Sequence, residues 1–122
     1  MAKTDAVGLW SLNYRLMTAV IVSVAPEISA LGIEVKELFL LAEVDDYPHP
    51  AALAGRLSMP KPTVTVYVKR LEAAGFVRRE IDPRDLRRHR LLVTPTGRRV
   101  TTRGLAVLSK RCLKEAVINW PT

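Results

Sequence analysis

Leu71-Glu-Ala-Ala-Gly75-Phe-Val-Arg-Arg-Glu-Ile81-Asp-Pro-Arg-Asp-Leu-Arg87-Arg-His-Arg-Leu-Leu-Val-Thr94-Pro-Thr-Gly97 decides how this chain reads. A segment with helical apolar spacing closes on Gly75, a residue that takes the left-handed conformation of a helix C-terminus without a Cβ clash. Two strand-like runs follow, 76–81 and 88–93, around the tip Asp82-Pro-Arg-Asp-Leu-Arg87, so a hairpin rich in arginine is expected. Thr94-Pro95-Thr96-Gly97 then opens another helix, with Thr94 as its cap and Pro95 at its first position.

Working back from Gly75, a helix over 61–74 turns Val64, Tyr67, Val68 and Leu71 inward and leaves Pro62, Thr65, Val66, Lys69 and Ala73 on the opposite face. Before it, Pro50 starts a short helix over 51–57 with Leu53 and Leu57 inward, and Ser58-Met59-Pro60 makes the turn. Two short helices around a tight turn, the second with a lysine at each end of its exposed face, read as a helix-turn-helix. An earlier helix spans about 34–45, with Val35, Leu38, Phe39 and Ala42 at i, i+3, i+4 and i+7, until Asp46-Tyr-Pro-His-Pro50 breaks it.

Both ends carry long apolar helices. Over 9–24, Trp10, Tyr14, Met17, Ile21 and Val24 recur at helical spacing, and Leu9, Leu12, Leu16 and Val20 fill the other sides. A helix apolar on most sides needs cover on most sides, which a partner subunit can supply. The last helix, from Gly97 toward Trp120, is about 36 Å long at 1.5 Å per residue. Its stripe is Leu105, Leu108, Cys112 and Ala116, joined by Leu113, Val117 and Trp120, and it is expected to pack on the first helix across a dimer. The expected fold is one mostly α domain over 1–122 with a small β-hairpin wing (α+β). Its arms are 1–30 and 97–120, its lobe is 34–94, and its dimer interface is Trp10, Tyr14, Met17, Ile21, Leu105, Leu108, Cys112 and Trp120.

Composition narrows the function. With 122 residues and 48% hydrophobic content the chain can bury a compact core. The single Cys112 allows no internal disulfide, so a reducing, cytoplasmic setting is expected. The apolar run 16–25, following Arg15 and ending in Ser23-Val24-Ala25, imitates a leader. Asp5 spoils its start, and a run so short reads as a buried helix with no membrane role. The formal charge of +7 is uneven: residues 1–50 hold 3 basic and 7 acidic groups, residues 51–103 hold 13 and 4. Clustered cations of this kind neutralise phosphates and release counterions. No nucleophile and base pairing, phosphate-binding glycine loop or metal-ligand cluster is visible, so neither an enzyme, a metal nor a cofactor is expected. His49 reads as a loop or helix-start residue and His89 as a strand residue.

Taken in order, Leu53-Ala-Gly-Arg-Leu57, Lys61-Pro-Thr-Val-Thr65, Lys69-Arg-Leu-Glu-Ala-Ala-Gly75-Phe-Val77, the D-x-R-D-x-R pattern from Asp82 to Arg87, and Leu92-Val-Thr-Pro-Thr-Gly97 resemble the multiple-antibiotic-resistance regulator (MarR) family of winged helix-turn-helix transcription factors. The resemblance covers about residues 35–99. It implies a homodimeric regulator of double-stranded DNA, a repressor occupying a pseudo-palindrome, with the recognition helix in the major groove and the wing in the minor groove. It places Lys61, Pro62, Thr63, Thr65, Val66 and Lys69 on the DNA side together with Arg84, Arg87 and Arg88, Arg84 being the minor-groove arginine. Independently, a helix N-terminus offers free N–H groups to phosphate, and an arginine on a hairpin tip suits the negative potential of a narrow minor groove. Asp82 and Asp85, which would repel phosphate, are expected to shape the wing by pairing with Arg84, Arg87 or Arg88.

The chain departs from the family pattern at Pro60, where a Ser or Thr cap is common, and at Val66, where a polar side chain is common. The family usually carries a further dimerisation helix after the one that ends this chain, which therefore reads as a short form. Cys112 is either a buried stripe residue, the reading preferred, or a thiol sensor as in some family members. Trp10, Trp120, Tyr14 and Met17 either pack in the core or dimer or line a pocket for a small aromatic effector. Two rival functions are a protein-interaction module docking on an acidic partner and a nonspecific architectural DNA binder.

Overall fold

Residues 5–119 are described by a computed structural model. Helix α1 (Ala6–Ala30) starts at Asp5, whose Oδ1 accepts the Gly8 N–H at 2.6 Å, and it runs through Pro26, past the expected end at residue 24. A proline removes one backbone donor, and packing around it can hold the helix together: Val20, Val24 and Ile28, at i, i+4 and i+8, are buried. The stripe expected to face a dimer partner is largely separate from this core. Trp10 and Tyr14 are 71% and 70% exposed and Met17 is also exposed, while Ile21 is half-buried. Periodicity identifies an apolar stripe but does not choose between several on one helix. By length and composition α1 would also reach across a bilayer, which corrects the expectation that its apolar run is too short. The expected buried helix is found only in part: most of the span is not buried within the chain, and Val20, Val24 and Ile28 alone enter the core.

Helix α2 (Val35–Glu43) is the hub, touching α1, the short helix α3 (Pro50–Leu57), α4 (Lys61–Ala73) and α5 (Pro95–Asn119). Because it is surrounded, Leu40 and Leu41 are buried beside Leu38, while the expected Phe39 and Ala42 are only half-buried. Its buried Glu37 accepts the Glu34 N–H at 3.0 Å, so the carboxylate has a partner at the helix start. Helix α4 (Lys61–Ala73) follows α3, and a two-stranded antiparallel hairpin, β1 (Val77–Asp82) and β2 (Asp85–Val93), leads into α5 (Pro95–Asn119). The described residues thus form five helices and one hairpin, an α+β winged helix.

Helix α5 packs on α1 of its own chain, and Arg111 reaches Glu27 Oε1 at 3.1 Å. Gly104 makes this approach close, since a Cβ there would meet the buried Leu38 side chain at 2.6 Å. Leu108 is half-buried against the core, but Leu105 and Cys112 are exposed, so the expected burial of Cys112 is not found within the chain. Intrachain packing uses the α5 face that carries Val100, Gly104 and Val107, which leaves the Cys112 side uncovered. Trp120 lies outside the described residues.

Candidate nucleic-acid interface

The turn between α3 and α4 is sharp because Ser58 takes the left-handed conformation, φ 52°, and the Met59 N–H donates back to Ala54 O at 3.0 Å. Pro60 then occupies the N-cap of α4 with extended backbone and offers no side-chain acceptor. The first turn of α4 is accordingly uncapped by any side chain, and Pro62 has no N–H of its own, so Lys61 and Thr63 carry the outward donors. Val64, Val68 and Leu71 anchor α4 in the core. Lys61, Pro62, Thr65, Val66 and Lys69 are exposed on the opposite side and Thr63 is half-buried. The Thr65 hydroxyl donates to Lys61 O at 3.0 Å, which leaves its oxygen free to accept. At the other end Gly75, φ 78°, closes the helix as expected. Its N–H bonds Glu72 O at 3.0 Å and the Phe76 N–H bonds Leu71 O at 2.9 Å, the Schellman pattern.

The wing is longer than the expected strands. Pairing is regular from Val77 opposite Val93 to Ile81 opposite His89, then jumps so that Asp82 faces Asp85 across Pro83 and Arg84. Leu86, Arg87 and Arg88 fall outside the regular register, as in a bulge that re-aims side chains. The two aspartates make this possible through backbone donors. Asp82 Oδ1 accepts the Arg84 N–H at 2.8 Å and Asp85 Oδ1 accepts the Arg87 N–H at 3.1 Å. Asp85 also lies 3.6 Å from the Arg87 guanidinium, whereas among the described residues no arginine side chain forms an ion pair with Asp82, and its expected partner Arg84 reaches it through the backbone N–H instead. Its other oxygen meets His49 Nε2 at 2.7 Å. Sequence reading missed His49 as a wing residue because its partner lies 33 positions away and no local pattern marks the pair.

These bonds hold the Asp82 carboxyl below the usual carboxylate range, first through the Arg84 N–H and then through His49. A depressed folded value adds stability above the unfolded pKa and loses it as pH falls through the folded one. Wild type should therefore lose stability on acidification below about pH 4 more steeply than Asp82→Asn. Denaturant midpoints across that range measure the difference, and parallel curves would count against the assignment.

Electrostatic pairing divides the cations into two groups. Arg56, Arg79, Arg90 and Arg98 lie within 3.5 Å of Glu43, Glu72, Glu80 and Asp45, and Arg70 and Arg78 sit 3.9 and 3.7 Å from Glu34 and Glu80. Lys61, Lys69, Arg84 and Arg88 have no acidic partner among the described residues, and the same holds for Arg15, Lys36, Arg99, Arg103, Lys110 and Lys114 on the other elements. A cation left unneutralised by its own chain is available to phosphate.

Away from this surface, an apolar groove of about 630 Å³ lies between α1, α2 and α5, lined by Met17, Val20, Ile21, Phe39, Leu108, Cys112 and neighbours. Met17 is in it, as one reading expected, but Trp10 and Tyr14 are not.

A family model described as MarR family matches residues 31–88, from the end of α1 into β2. The transcriptional regulator BldR from Sulfolobus solfataricus has the same fold, with a TM-score of 0.78 over 96% of this chain and 86% of that one at 25% identity. Over residues 31–88 the chain matches the MarR family. Within that family the fold likeness extends over both arms. The reduced form of MarR from E. coli gives a TM-score of 0.81 over 99% of this chain and 89% of that chain, at 19% identity. A variant of MarR from E. coli, solved in complex with operator DNA, gives 0.77 over 98% and 89%, also at 19% identity. No curated protein matches the sequence. The MarR-family winged helix accounts for the helix-turn-helix, the wing and their connection into α5.

Proposed function

We propose that this chain is a non-enzymatic, cytoplasmic MarR-family regulator that represses transcription by occupying a pseudo-palindromic site as a homodimer. The observation that carries the reading is the placement of four unneutralised cations together on the helix-turn-helix and hairpin, Lys61 and Lys69 on the exposed face of α4 and Arg84 and Arg88 on the wing. Lys61, Pro62, Thr63, Thr65, Val66 and Lys69 enter the major groove, where Val66 suits a thymine methyl, and Arg84 reaches the minor groove with Arg87 and Arg88 beside it. The arms 1–30 and 97–120 supply the dimer contact. Val7, Trp10, Tyr14, Val22, Leu113 and Val117 are all more than half exposed, an apolar surface that a second copy would cover. Two recognition helices would then sit about 34 Å apart, one turn of DNA. The groove beside Met17 is the place for a small aromatic effector.

Selection from a randomised duplex pool at about 150 mM salt, with the mass in solution measured alongside, tests the reading. Enrichment of a two-fold symmetric site by a dimer is expected. Binding without enrichment would make the protein architectural, and absence of binding would favour the protein-interaction module.

A further inference from the structure

His49 joins the start of α3 to the turn of the wing, and we propose that it is a positioning residue for Arg84. The inference rests on the reading of Arg84 as a DNA contact. His49 Nε2 lies 2.7 Å from Asp82 Oδ2, and since an ionised carboxylate only accepts, the ring nitrogen donates. Asp82 Oδ1 accepts the Arg84 N–H at 2.8 Å. One carboxylate therefore bridges the helix-turn-helix and the residue at the tip. Its side chain is only 8% exposed, so water competes weakly for either bond.

A second tie runs from the neighbouring residue: the Leu91 N–H donates to Pro48 O at 2.8 Å. That bond holds the body of the hairpin, within its regular ladder, whereas the tip lies beyond the point where the register breaks. Strand pairing thus fixes the base of the wing and leaves the direction of the Arg84 turn to the His49–Asp82 contact. An arginine held in place before binding loses less conformational freedom on binding than one on a loose tip. The position is specific to wing geometry, because the His49 side chain makes no capping bond to α3 although the residue is its N-cap.

The test uses His49→Ala and His49→Gln, each with Arg84 intact and with Arg84→Ala. Amide exchange at Arg84, read by NMR without DNA, should quicken about tenfold or more in His49→Ala and return toward wild type in His49→Gln, whose side-chain amide can donate to Asp82. Unchanged exchange in His49→Ala overturns the proposal. Affinity for the selected duplex should fall about tenfold in His49→Ala, recover in His49→Gln, and fall no further when His49→Ala is added to Arg84→Ala. Losses that simply add would show His49 acting elsewhere and also overturn it. Should Arg84→Ala cost no affinity, the minor-groove reading fails, and the exchange measurement still decides whether His49 holds the turn.

Discussion

Gly97→Ala should destabilise this protein by about 3 kcal/mol or more and lower its thermal midpoint by roughly 10 °C or more. A Cβ at this position would stand 2.0 Å from the Phe76 carbonyl oxygen and 2.8 Å from its carbon. Both are backbone atoms, so no side-chain rotation relieves the overlap, and α5 must shift relative to the end of α4. The shift would break a local network. Thr94 Oγ1 accepts the Gly97 N–H at 3.0 Å, and the Thr94 N–H donates to Phe76 O at 3.0 Å. Gly55→Ala provides the contrast, because nothing lies within 4 Å of its added Cβ. In the interior of α3 that change should raise stability by about 0.5–1 kcal/mol through helix propensity. Denaturant titrations of both variants decide the matter, and a Gly97→Ala protein as stable as wild type would show that the two segments are not packed this closely.

The second large effect concerns binding. Replacing Lys61, Lys69, Arg84 and Arg88 together by glutamine should weaken binding to the selected duplex about a thousandfold or more at physiological salt, since eight lost phosphate contacts in a dimer remove about seven from the salt slope. The fitting control removes the same formal charge from Arg70, Arg78, Arg79 and Arg90, all of which face a glutamate of their own chain. It should lose far less. Equal losses in the two quadruple variants would assign affinity to net charge and take the four cations out of the interface.

Much of the site is legible in sequence because its signals are local. Gly75 closes a helix, Pro50 opens one, Thr94 caps one, and Asp82 to Arg87 marks a hairpin tip, each through backbone chemistry within a few residues. The exposed face of α4 follows from 3.6-residue periodicity, and it set Lys61, Thr65, Val66 and Lys69 outward opposite Val64 and Val68. What periodicity could not decide is which apolar stripe of a helix meets its own chain. Trp10, Tyr14 and Met17 form as good a stripe as Val20, Val24 and Ile28, and only the docking of α2 and α5 selects the latter.

Sequence by itself therefore determined the order of elements, the helix-turn-helix, the basic hairpin and the family pattern, because propensity, caps and turns act over short spans. Tertiary structure alone decided three further things. It laid α5 on α1 of the same chain. It brought Gly97 against the Phe76 carbonyl, so that a glycine reads as a contact and not merely as part of a helix start. It also set His49 beside Asp82, across 33 residues, where the carboxylate takes a donor from each side. Each of these is a meeting of distant segments, and the energy that selects it arises only once the core has closed around them.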